Sequence, residues 1–191
     1  GYRTAYGRLS QATVSGLELL GRNMEADPDL KNIQWAAYML ATVKHECADT
    51  WQPIVERGAK AYFDKYETGT SLGRRLGNTE PGDGWRFRGR GYVQITGRAN
   101  YARMTQALGL GPDADLVADP EQALRPAIAY RIMSVGMRKG LFTGKKLGDY
   151  LNSQGSDYVN ARRIINGVDQ ATKIAGYATT LEGILRASLV R

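Results

Sequence analysis

One cysteine and one histidine occur in the 191 residues, and these two shortages exclude more chemistry than any other feature of the chain. With Cys47 alone no internal disulfide can form, so stability must come from packing, and folding in a reducing cytoplasm is expected. A zinc set of the usual kind needs several Cys or His ligands, and no HExxH pattern is present; neither a metal nor a cofactor is expected. A Ser-His-Asp triad would have to use His45 as its base, and no G-x-S-x-G elbow accompanies it. Cys47 close after His45 invites a thiol-nucleophile reading. Residues two apart on a helix point about 200° apart, however, so a small apolar structural role is expected for Cys47. Also missing is any apolar run near the ~18 residues that span a membrane, or an N-terminal apolar region of the signal-peptide kind. No stable membrane insertion is expected.

What is present is ordinary globular material, 42% hydrophobic and 24% charged, without low-complexity tracts or clear repeats. The length suits a single domain over residues 1–191, with room for two lobes around a cleft, and the protein is expected to be a monomer. Lys and Arg outnumber Asp and Glu by 26 to 19, a net charge of +7 that favours an anionic partner. Arg86, Arg88 and Arg90 alternate with Trp85, Phe87 and Tyr92, a pattern that could stack on single-stranded nucleic acid. No nucleic-acid fold signature surrounds them and no helix carries a long basic stripe, so nucleic acid is not expected as a partner. Gly89-Arg90-Gly91 lacks the Gly-Lys-Ser/Thr ending of a phosphate loop.

Periodicity and capping residues predict a helix over Ser10–Arg22 and another from an Asp27-Pro28 start through the apolar stripe Ile33, Ala36, Ala37, Leu40 and Ala41. His45-Glu46 then stands at the end of a buried helix. Residues 68–91 are punctuated by Gly and Pro and read as an extended loop region with short strands at most. Further helices are expected from Asn100 to about Leu108 and from an Asp119-Pro120-Glu121-Gln122 capping box with a break near Pro126. Short helices follow near Lys146–Leu151 and Tyr158–Ile165, and a last one over Ala171–Leu189. The fold class predicted is mainly α (α+β): a two-lobed, lysozyme-like fold with a small β element and a central cleft.

The β element is the stretch Arg88 to Tyr101. Read with period two, Tyr92, Gln94 and Thr96 share one strand face while Val93 and Ile95 share the other. The polar face suits a carbohydrate or a positioned water. Glycoside hydrolysis would add two carboxyl groups, one to protonate the leaving oxygen and one to activate water or stabilise the cationic centre. Glu46, at the end of an apolar helix, can be partly desolvated, as a general acid requires. The second carboxylate is Glu56 or Glu67; Asp49 lies in the same turn as Glu46 and could hardly oppose it.

His45-Glu46, followed by Arg88-Gly-Arg-Gly-Tyr-Val-Gln-Ile-Thr-Gly-Arg-Ala-Asn-Tyr101 and by Ile164-Ile-Asn-Gly167, resembles glycoside hydrolase family 19. That family holds chitinases and the chitinase-like lysozymes of phage endolysins. The resemblance implies Glu46 as general acid and Glu67 as general base, with Thr96 where chitinases use serine to hold the attacking water. It puts Gln94, Asn100 and Asn166 on sugar-binding positions, followed by Tyr101; His45 and Tyr92 complete the expected substrate-binding set. Glu56 matches a glutamate that recurs in phage-type relatives. Cys47 and Asp49 depart from the usual threonine and glycine. The missing disulfides and the basic charge favour the phage branch, so the function expected is an endolysin-type muramidase hydrolysing peptidoglycan glycan strands. It would accumulate in the host cytoplasm and act on the wall after release. A chitinase acting on chitin oligomers is the alternative, and a non-catalytic wall-binding module the third reading.

Overall fold

In the computed structural model, residues 1–189 are described. They form a mainly helical, two-lobed fold with a small β element. The two compact units are residues 1–52 with 133 onward, and Pro53–Ile132.

In the first unit, α1 (Tyr2–Tyr6) precedes α2 (Gln11–Glu25), whose N-cap Ser10 accepts the Thr13 N–H. Helix α3 (Ile33–Glu46) is capped by Asn32, which accepts the N–H groups of Gln34 and Trp35, and it buries every residue from Ala37 to Lys44. It packs along α8 (Ala171–Leu189), which turns Ile174, Ala175, Ala178 and Leu181 inward. An apolar stripe on each helix is what lets them pair, and burial of such side chains contributes roughly 1.5–3 kcal/mol apiece. The predicted start at Asp27-Pro28 is corrected. The Asp27 carboxylate accepts Ser134 Oγ at 2.6 Å and pairs with Arg138, so it is used across the unit while Asn32 takes over the cap.

The second unit holds β1 (Ile54–Val55), α4 (Ser71–Arg75), α5 (Asp83–Arg86), β2 (Arg90–Gly91) and α6 (Arg98–Leu108), with 3-10 turns at Lys60–Tyr66 and Pro120–Leu124. Strands β1 and β2 pair antiparallel, Ile54 opposite Gly91 and Val55 opposite Arg90. The loop expected over residues 68–91 thus contains two short helices, α4 capped by Thr70 and α5 begun at Asp83. Near Asp119 the expected capping box does not form. Gln122 Nε2 bonds the Asp119 carboxylate instead, a 3-10 turn follows, and α7 (Pro126–Lys139) starts afresh with proline in its first position. Helix α7 carries the chain from the second unit into the first, where β3 (Leu151–Asn152) and β4 (Gly155–Ser156) form a small hairpin.

The strand predicted at Tyr92–Thr96 is a turn. Arg90 and Ile95 exchange N–H···O bonds of 3.2 and 3.0 Å, and Gly91 (φ 87°) and Gln94 (φ 54°) adopt left-handed backbone between them. Left-handed residues abolish the two-face alternation, so Tyr92, Val93 and Ile95 are all buried and only Gln94 and Thr96 remain half-buried.

Asp83 anchors this unit. It is 1% exposed, and its carboxylate accepts the N–H of Thr79 and Glu80 and a bidentate Arg98 guanidinium at 2.7 and 2.8 Å. Burial pushes its carboxyl up, but Arg98 and the two amides outweigh burial and hold it below the ordinary value of 3.8. A depressed folded value gives stability that is complete above the unfolded value and is lost as pH falls through the folded one. Asp83→Asn should therefore cost about 3 kcal/mol at neutral pH. In thermal melts across acid pH, the gap between wild type and variant should close below the ordinary Asp range; a gap independent of pH contradicts the assignment.

Candidate active site

In the first unit one group of candidate residues begins at the last residue of α3. Glu46 Oε1 accepts a 2.6 Å bond from Arg162 Nη1; the arginine side chain is 3% exposed and the glutamate 19%. Arg162 sits in the 3-10 turn Asn160–Ile164 and also donates from Nε to the Asp169 carbonyl, so the guanidinium is held from two sides. A charge-assisted bond of this length fixes the carboxylate in direction as well as place. His45 is half-buried, and burial pulls its imidazole below the ordinary range against the opposing effect of Glu46. Cys47 is buried, which pushes its thiol up to about 12 and leaves it the inert structural residue expected. Asn166 is exposed in the loop after the Arg162 turn; its N–H bonds the Arg162 carbonyl and its Oδ1 the Gly167 N–H.

In the second unit another group of candidate residues gathers around Gly89. Glu56 follows β1, and its own N–H bonds the Gly89 carbonyl at 2.8 Å while its Oε2 accepts the Gly89 N–H at 3.0 Å. Oε1 accepts the Tyr66 hydroxyl at 3.1 Å. Burial and the adjacent Glu56 carboxylate push the Tyr66 phenol up, so it stays a donor. A Cβ on Gly89 would stand 2.8 Å from Gln94 Oε1 and 3.1 Å from Glu56 Oε2, so glycine is what leaves room for both side chains against this backbone. Gln94 is itself anchored, donating to the carbonyls of Ile54 and Gly91 at 2.9 Å each. Thr96 Oγ1 donates to the Gln94 carbonyl, and Asn100 Nδ2 to the Thr96 carbonyl at 2.7 Å. Glu56 and Gln94 thus flank Gly89, and Thr96 and Asn100 follow Gln94 through bonds to successive backbone carbonyls.

Glu67 stands apart from this group. Both its carboxylate oxygens accept backbone amides, Gly82 at 2.8 Å and Gly84 at 3.1 Å, at the start of α5. Tyr92 and Tyr101 are 1% and 0% exposed, so the expectation that they present rings to a substrate is corrected. The Tyr101 hydroxyl bonds the Arg88 carbonyl and accepts Arg90 Nη1, a scaffold role. Arg88 lies 3.8 Å over the Trp85 ring, Arg90 pairs with Glu121 at 2.6 Å, and Arg98 with Asp83. The arginines of the strip are therefore occupied internally. Arg162 is the partner of Glu46 that sequence reasoning missed: no spacing links the two, and the signal available was a basic pair just before Ile164-Ile-Asn-Gly167.

The fold is that of the family 19 chitinases. Chitinase C from Streptomyces griseus HUT6037 superposes with a TM-score of 0.60 at 20% identity, covering 92% of this chain and 85% of that one. A bacterial family 19 chitinase superposes at 0.55 and 18% identity, covering 95% and 92%. In sequence, a glycosyl hydrolase family 19 domain-containing protein of Haemophilus influenzae is 42% identical over 60 residues, 29% of this chain and 30% of that protein. The matched stretch thus spans less than a third of that relative. No family model matches the chain. These findings correct the expectation of an endolysin-type muramidase acting on peptidoglycan: the similar structures are chitinases. The expectation leaned on the net charge of +7, a property of the whole chain that favours an anionic partner without saying which polymer a site would take.

Removing the Glu67 carboxylate strands two amides at a helix start. Glu67→Ala should cost about 1–2 kcal/mol, whereas Glu56→Gln should change stability by less than about 1 kcal/mol. Urea unfolding of the two variants checks this, and the reverse order would contradict the structural role given to Glu67.

Proposed function

We propose that the protein is a chitinase-type glycosidase that hydrolyses chitin oligomers. The observation that carries this reading is the Glu56, Gln94, Thr96 and Asn100 group around Gly89, found in a chain with the fold of family 19 chitinases. Glu46 delivers a proton to the glycosidic oxygen as the bond from C1 breaks, and Arg162 holds the carboxyl in place and stabilises the anion left behind. Glu56 takes a proton from the water whose oxygen attacks C1, and the Thr96 hydroxyl orients that water. Gln94 and Asn100, whose Nε2 and Nδ2 donate to backbone carbonyls, offer the sugar their amide oxygens, and Asn166 adds an amide that suits hydroxyl and N-acetyl groups. Both glutamates have both oxygens hydrogen-bonded; Glu56 is preferred to Glu67 as the second carboxylate because its partners are the Tyr66 hydroxyl and Gly89, next to Gln94, whereas Glu67 is spent on two backbone amides at the start of α5.

Three variants test the assignment on chitin oligosaccharides. Glu46→Gln and Glu56→Gln should each lower kcat by about 10²–10⁴-fold with the fold intact. Glu67→Gln should keep most of its activity below its melting temperature. Wild-type activity in Glu46→Gln would overturn the mechanism, and loss in Glu67→Gln with retention in Glu56→Gln would exchange the roles of these two residues.

A further inference from the structure

Among the described residues, the non-glycine residues with left-handed backbone are Ala48 (φ 47°), Asp49 (φ 63°), Trp51 (φ 58°), Gln94 (φ 54°) and Gln170 (φ 56°). Their placement is not scattered. Gln94 belongs to the Glu56 group, Gln170 follows the carbonyl that holds Arg162, and the other three come directly after Glu46. Backbone strain persists only where the surroundings over-determine it, and it collects at functional sites.

What over-determines residues 48–51 is a buried cation. Lys44, 6% exposed, is closed onto Asp49 twice: the Asp49 N–H bonds the Lys44 carbonyl at 3.1 Å, and the Lys44 ammonium pairs with the Asp49 carboxylate. Glu46 lies inside the ring so formed. The ammonium also donates to the Tyr2 hydroxyl at 3.3 Å and sits 4.1 Å from the Tyr6 ring centre and 5.1 Å from that of Tyr177. Trp51, fully buried, meets the Tyr2 ring edge-on at 5.8 Å. Burying an ammonium is costly unless charge and π faces replace its water, and here one carboxylate and an aromatic cage do so. Helices α1, α3 and α8 therefore all converge on the turn that follows Glu46.

We propose that Lys44 and Asp49 are positioning residues for Glu46, holding a strained turn that aims its carboxylate at Arg162, with Tyr2 and Tyr6 of α1 as part of the same clamp. This inference rests on Glu46 acting as proton donor. It also explains why an aspartate occupies a left-handed position that glycine would fill without strain: the carboxylate is needed for Lys44.

The test uses Asp49→Gly, which keeps the left-handed turn without the carboxylate, together with Lys44→Met, Lys44→Arg and the Lys44→Met/Asp49→Gly double variant. On chitin oligomers, Asp49→Gly and Lys44→Met should each lower kcat about tenfold with KM within about twofold, and the double variant should lose no more than either single one. Lys44→Arg, which keeps the charge, should recover most of the rate. Independently of any substrate, the Nε–H NMR signal of Arg162 should shift and exchange faster in Asp49→Gly. An unmoved Arg162 signal overturns the proposal, as does a wild-type kcat in folded Asp49→Gly. A moved signal in a protein whose wild type leaves chitin uncut supports the clamp and overturns the proposed substrate instead.

Discussion

A buried guanidinium must be paired, and the pairing of Arg162 with Glu46 is the constraint to which the first unit is built. The pair has to bring the C-terminal end of α3 to the 3-10 turn at Asn160–Ile164, and the packing of α3 along α8 supplies the frame for it. The features that follow Glu46 are the ones we propose serve the same placement. Cys47 is buried, Ala48 and Asp49 turn left-handed, and Lys44 is enclosed by tyrosines. A glutamate on a surface helix end would need none of this.

The second unit solves a different problem, which is to bring polar side chains together on backbone that also needs its own hydrogen bonds. The Arg90–Ile95 turn, the β1–β2 pairing and Gly89 together do so. Gln94 points into the group because its own backbone is left-handed, and its amide satisfies two carbonyls at the turn. The buried network of Arg90, Tyr101 and Glu121 supports the turn from beneath. Its arginine is 2% exposed.

Much of this was legible in the sequence, and for physical reasons. The helix over Ser10–Arg22, the apolar stripes of α3 and α8, and the punctuation at Pro126 are local signals, and local signals survive folding. What could not be read were long-range outcomes. Asp27 looked like a helix cap but was drawn to Ser134 and Arg138, and Asn32 capped the helix instead. Tyr92–Thr96 has the composition of a strand, yet Gly91 and Gln94 fold it into a turn that hides Tyr92. Glu56 and Glu67 are equivalent by spacing and become distinct only when α5 claims the oxygens of Glu67. Net charge was the poorest guide, because a sum over the whole chain does not say where on the surface the excess lies or what it meets.

The central claim is that this chain adds water across a glycosidic bond of chitin. It is tested most directly by digesting a chitin hexamer in ¹⁸O-labelled water and reading the products by mass spectrometry. The account predicts shorter oligomers, with the label on each new reducing end. An intact hexamer from folded protein, or shortened products without label, would contradict it.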